Sequence, residues 1–174
     1  MALNAVTLTA TPASAANSIE NTGRRIDGYD NAVQPIPVGF LTPSVGWIRV
    51  RIRPRHTAAG LVLFGNTGPT ILEAWGDATN YIRVYGTAAN NIRLEFNDGG
   101  GVHQANWNCT GLIVADTEYL LEVLYAGSVM WLIIDHVQVA TITQPIVFVT
   151  TPTNVYWGSQ QALDEQADIV YVNP

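Results

Sequence analysis

The chain contains no lysine: its eight basic residues are Arg24, Arg25, Arg49, Arg51, Arg53, Arg55, Arg83 and Arg93. Schiff-base catalysis and the lysine of a phosphate-binding loop are thereby excluded. The one cysteine, Cys109, excludes an internal disulfide and a multi-cysteine zinc site. It reads as a small buried hydrophobe. Charged residues make up only 13%, and the net charge of −6 argues against general nucleic-acid binding. No apolar run is long enough to cross a bilayer, so membrane insertion is not expected. The opening "MALNAVTLTATPASAANS" lacks the basic and apolar regions of a secretory signal, and no signal peptide is expected there. Helical periodicity is also scarce, with no capped apolar face at i, i+3, i+4, i+7.

What is present is hydrophobic content, 48%, arranged in short alternations broken by Gly, Asn and Pro. That composition favours a compact fold over disorder. "GWIRVRIRP" sets Ile48, Val50 and Ile52 on one face and Arg49, Arg51 and Arg53 on the other. "NYIRVYGTAANNIRLEFNDGGG" reads as two strands around a turn at 87–90, with Ile82, Val84, Ile92, Leu94 and Phe96 inward. "TEYLLEVLYAGSVMWLIIDHVQVATI" reads as three strands joined by two tight turns, the second at Asp135-His136. Strands are also expected in "AVTLTA", "GLVLFGNTG", "TPTNVYWGS" and "ADIVYVNP", and a loop or single helical turn over 158–167. This density of strands predicts an all-β fold, an antiparallel two-sheet jelly-roll sandwich, with Val50, Leu94, Leu121, Val123 and Leu132 in its core. The length fits one domain over 1–174, with 1–19 as an N-terminal arm or edge strand.

Four segments in order resemble the concanavalin A-like lectin/glucanase superfamily, and within it the laminin-G-like (pentraxin-like) jelly roll. They are "GRRIDGYDNAV" with "GWIRVRIRP", then "AGLVLFGN", then "TEYLLEVLYAGSVMWLIIDHVQVAT", and finally "VYWGS" with "ADIVYV". The resemblance covers about residues 20 to 172 and departs from the family at two points. His136 stands where the family has a turn glycine. Histidine tolerates positive φ, so His136 is expected to tip a hairpin rather than serve a ligand. The carboxylate strand of the family's glucanases, E-x-D-x-x-E, has no match, and Asp164, Glu165 and Asp168 follow no clean strand pattern. No catalytic residue is assigned, and an enzyme is not expected.

Two segments look suited to binding a glycan. "EAWGDATNY" offers Trp75 beside Asp77 and Asn80; "NDGGGVHQANWN" offers His103, Gln104, Asn106 and Trp107. Sugars are held by an aromatic face under their C–H groups and by fixed amides or carboxylates at their hydroxyls. The bland alternative for both is an ordinary loop and edge strand. The family resemblance also implies a possible calcium ion, for which Asp77 and Asp98 are the candidate ligands and Asp135 a reserve. No other cofactor is expected, and His56, His103 and His136 share no spacing that suits zinc. The Arg49/Arg51/Arg53 stripe either pairs with Glu118, Glu122 or Glu95 across strands or meets an anionic partner; the charge match favours pairing. The proline-bearing segment "AVQPIPVGFLTPSVGW" offers Ile36, Phe40 and Leu41 as an assembly contact, or as cover for the chain's own core.

The expected function is a non-enzymatic surface-binding or decoration module, such as a capsid decoration or tail-associated protein of a bacteriophage virion. The alternative is a lectin or adhesin module for cell-surface glycan, and a glycoside hydrolase ranks below both. Partners are therefore other virion proteins or glycans, with homo-oligomers allowed. The location is a virion surface or the extracellular space.

Overall fold

The computed structural model describes residues 25–26, 32–36, 38–54, 57, 70–87, 90–157 and 169–172. In chain order its strands are β1 (Arg25–Ile26), β2 (Ala32–Pro35), β3 (Val45–Pro54), β4 (Thr70–Asp77), β5 (Asn80–Thr87) and β6 (Asn91–Asp98). There follow β7 (Val102–Asn108), β8 (Tyr119–Ala126), β9 (Val129–Ile134), β10 (Val137–Thr143), β11 (Asn154–Trp157) and β12 (Ile169–Val172). The described residues contain no helix. The expected strands near residues 5–10 and 60–68, the arm 1–19, the segment 158–167, His56 and Asp168 lie outside the described residues.

Among the described residues, two antiparallel six-stranded sheets form the sandwich. The first runs β1-β12-β3-β8-β9-β10 and the second β2-β11-β4-β5-β6-β7. Period-2 alternation is what lets each sheet fill one common core. Ile48, Val50 and Ile52 of β3 join Leu121, Val123 and Tyr125 of β8 and Leu132 of β9. Ile82, Val84, Ile92, Leu94 and Phe96 come from the second sheet to meet them. Each such side chain contributes about 1.5–3 kcal/mol when fully buried. Cys109 belongs to the same cluster, and burial pushes its thiol pKa up.

The two-residue turn after β9 closes with Ile134 opposite Val137. Asp135 (φ 48) and His136 (φ 67) both adopt left-handed backbone, which the twist of a tight hairpin demands. Asp135 Oδ1 accepts the Leu120 amide at 2.7 Å, so this carboxylate braces the turn. The His136 side chain is 76% exposed, with Nδ1 3.8 Å from Glu122. Two arginines of the stripe pair locally. Arg49 reaches Glu122 at 3.5 Å and Arg51 reaches Glu118 at 2.8 Å. Glu95 lies on the other sheet and takes no part. The outer face of β9 is less covered than expected for a strand apolar on both sides: Val129, Trp131 and Ile133 are half-buried.

Of the two roles open to the proline-bearing segment, the packing agrees with cover for the chain's own core. Leu41 is buried in the core, and Ile36 and Phe40 pack against it. Pro35 does not prevent pairing. β2 pairs with β11, with Pro35 opposite Asn154 at the end of an edge strand, where a missing N–H is tolerated.

Candidate functional site

In β5, Ile82 and Val84 point to the core, so Tyr81, Arg83 and Tyr85 must point out. Register then sets their neighbours. Glu73 of β4 lies opposite Arg83, Arg83 opposite Glu95 of β6, and Glu95 opposite Gln104 of β7. A second row runs from Asn154 of β11 through Trp75, Tyr81 and Asn97. A third runs Tyr85, Arg93, Asn106. The outer face of the second sheet thus gathers aromatic, charged and amide side chains, with Tyr156 beside Glu73.

These groups are engaged with one another. Arg83 donates from Nε and Nη2 to Glu73 Oε1, at 2.9 and 2.6 Å. Tyr81 and Tyr85 donate to the two oxygens of Glu95, at 3.1 and 2.8 Å. Arg93 donates from Nε to Asn106 Oδ1 at 2.8 Å and from Nη1 to the Tyr85 hydroxyl at 3.1 Å. The Arg83 guanidinium sits 5.1 Å from the Tyr81 ring centroid and 5.9 Å from that of Tyr85. Trp75 and Tyr81 stack at 6.2 Å with an interplanar angle of 13°.

Burial of charge is the unusual property of this face. Glu73 is 0% and Glu95 7% exposed, and Tyr81 and Tyr85 are buried with them. Buried carboxylates persist only when paired and hydrogen-bonded. Burial and the nearby Glu95 charge push the Tyr81 pKa up to about 12. Burial and the bond to Glu95 raise Tyr85 as well. For Arg83, burial opposes the charge, but Glu73 outweighs it and the net shift is upward.

The residues singled out from sequence separate in space. Trp75, Gln104 and Asn106 lie on this outer face. His103 and Trp107 point the other way, opposite core residues Phe96 and Ile92. The His103 ring lies 4.9 Å from Phe96, and Trp107 packs on the core. The glycan quartet on β7 is therefore split by strand alternation.

Asp77 and Asn80 hold the end of the β4–β5 hairpin. Asp77 Oδ1 accepts the Thr79 amide at 2.8 Å, the Thr79 hydroxyl at 2.9 Å and Asn80 Nδ2 at 2.9 Å. Hydrogen bonds from the Thr150 and Asn80 side chains and the Thr79 backbone hold the Asp77 carboxyl well below the usual carboxylate range. Asn80 Oδ1 accepts the Val149 and Thr150 amides at 2.9 and 3.2 Å. Gly76 permits this approach, since a Cβ there would collide with the Thr150 carbonyl oxygen. Asp98 accepts the Gly100 amide at Oδ1 and the Val147 amide at Oδ2, at 3.1 and 3.2 Å. Calcium needs six to eight oxygens. Among the described residues, no group of three or more His, Cys, Asp or Glu is placed to hold a metal ion. Asp77 and Asp98 serve as acceptors for the chain's own donors, and the calcium assignment finds no support in this geometry.

Glu73, Tyr81, Arg83, Tyr85, Arg93 and Tyr156 were not singled out from sequence, and Glu95 only as a possible partner of the arginine stripe. Their signal was available in β5: once Ile82 and Val84 are assigned inward, Tyr-Arg-Tyr must face outward.

No protein-family model matches the chain, and no curated protein does. Solved structures do. Domains LG4-5 of the mouse laminin α1 chain superpose with a TM-score of 0.57 at 11% identity, covering 85% of this chain and 40% of that one. The LG1-3 region of the laminin α2 chain gives 0.61 at 12%, covering 84% and 29%. The fold is the laminin-G-like jelly roll. The chain spans less than half the length of those laminin chains. The CBM40 module of a Ruminococcus gnavus sialidase, bound to α2,3 sialyllactose, gives 0.55 at 12%, covering 87% and 83%. At these identities the likeness concerns the fold alone.

Proposed function

We propose that this protein is a non-catalytic carbohydrate-binding module whose site is the outer face of the second sheet. The observation that carries the reading is the Trp75–Tyr81 stack bordering the Glu73, Arg83, Glu95 and Arg93 network. An aromatic face beside fixed polar groups suits a sugar, which is apolar on its ring faces and polar at its rim. Carbohydrate-binding modules and galectins among the structural neighbours support it, including an arabinanase domain in complex with arabinotriose.

Glycoside hydrolysis is disfavoured on geometric grounds. Paired catalytic carboxylates need a sugar between them. Between Glu73 and Glu95 stands Arg83, bonded to Glu73. The contact offered for the decoration reading, Ile36, Phe40 and Leu41, packs on the chain's own core. No other observation favours it.

The test is a glycan array followed by calorimetry on wild type and Trp75→Ala. Binding to at least one glycan, weakened tenfold or more in Trp75→Ala with an unchanged circular dichroism spectrum, is expected. Equal affinity in the variant rules out this face. Release of reducing sugar from any bound polysaccharide rules out the non-catalytic assignment.

A further inference from the structure

We propose that the ligand of this face is an uncharged glycan and that acidic glycans are selected against; the inference rests on the carbohydrate-binding reading. Four charged side chains form the centre of the face, Glu73, Arg83, Glu95 and Arg93, and their charges sum to zero. Neither guanidinium stands unopposed. Arg83 sets two of its nitrogens on Glu73. Arg93 is tied to Glu95 through a single phenol: Tyr85 accepts from Arg93 Nη1 and donates to Glu95 Oε2. A carboxylate or sulfate approaching Arg93 therefore also approaches Glu95. Repulsion between charges at such range is substantial away from bulk water.

The rim points the same way. Asn97, Gln104, Asn106 and Asn154 surround the charged centre and are half-buried or exposed. Each amide carries a donor and an acceptor. A hydroxyl uses both, because it also donates and accepts. An anion uses only donors and is repelled by carbonyl oxygen; the Asn97 and Asn106 carbonyls already accept from Gly99 and Arg93, so that repulsion comes from Gln104 and Asn154. At longer range the net charge of −6 opposes acidic polymers as well.

The experiment measures affinity for matched pairs by calorimetry at low and high salt. The pairs are lactose and its sialylated form, xylo-oligosaccharides without and with glucuronate, and methyl-esterified oligogalacturonate and its free acid. The expected result is that a neutral member binds with little salt dependence and its acidic partner binds about tenfold or more weakly. Gln104→Arg, at an exposed position opposite Glu95, should narrow that gap by adding a cation without disturbing the buried network. An acidic member that binds as tightly as its neutral partner, or more tightly with affinity falling as salt rises, overturns the inference while leaving carbohydrate binding intact. Absence of binding by every member sinks the underlying reading and the inference together.

Discussion

Arg83 places Nε and Nη2 on the same oxygen of Glu73, and the Glu73 side chain is wholly removed from solvent. Removing the cation alone leaves a buried carboxylate without its guanidinium. Arg83→Met is therefore expected to destabilise the fold by about 3–5 kcal/mol. The double variant Glu73→Leu/Arg83→Met should recover most of that loss, because an apolar pair replaces the charges together. Urea unfolding of the three proteins checks both expectations; a double variant no more stable than the single one contradicts this account.

Thr70 offers the opposite case. Its hydroxyl is fully buried and has no hydrogen-bond partner among the described residues. Thr70→Val keeps the shape and removes the unsatisfied group, so stability should rise by about 1 kcal/mol. That corresponds to roughly 2–4 °C in Tm for a chain of this size. A lower Tm in the variant would show that the hydroxyl is needed.

Asp77 links stability to pH. Its carboxyl lies below its ordinary value because Thr150, Asn80 and Thr79 donate to it. A lowered folded pKa stabilises the protein above the unfolded value, about 3.9, and the benefit is lost as pH falls through the folded value. Asp77→Asn should melt a few degrees below wild type at pH 7, and the gap should close progressively below pH 4. Thermal melts of both proteins from pH 7 to pH 2 measure it. A gap that stays constant across that range would show that the charge is irrelevant.

For His136 the expectation is near neutrality. His136→Gly relieves the left-handed backbone at φ 67 and removes only a 3.8 Å approach to Glu122. Stability should stay level or rise by up to about 1 kcal/mol, with glycan affinity unchanged. A marked loss of affinity in a folded variant would place His136 in a binding site.

The parts of this fold legible in the sequence are those set by neighbours in the chain. The hairpins β5–β6 and β8–β9–β10 follow from alternation and tight turns, and so do the inward faces of both. The outer face of the second sheet was harder to see because it depends on which strands lie side by side. β11 fits between β2 and β4, although β4 precedes it by some eighty residues. Asp77 and Asn80 pose a different difficulty. An oxygen that suits a sugar or a metal suits a backbone amide equally well. The amides that Asn80 meets, at 149 and 150, are distant in sequence. On β7, the spacing of His103, Gln104, Asn106 and Trp107 already carried the answer, since odd and even positions must face opposite ways.

The mutual bonding of Tyr81, Arg83, Tyr85, Arg93 and Glu95 also bears on association kinetics. Long side chains ordinarily lose rotamer entropy when a ligand fixes them. On this face that ordering accompanies folding, before any encounter. Free and bound forms should differ little in these side chains, and differences in affinity among sugars should appear mainly as differences in residence time.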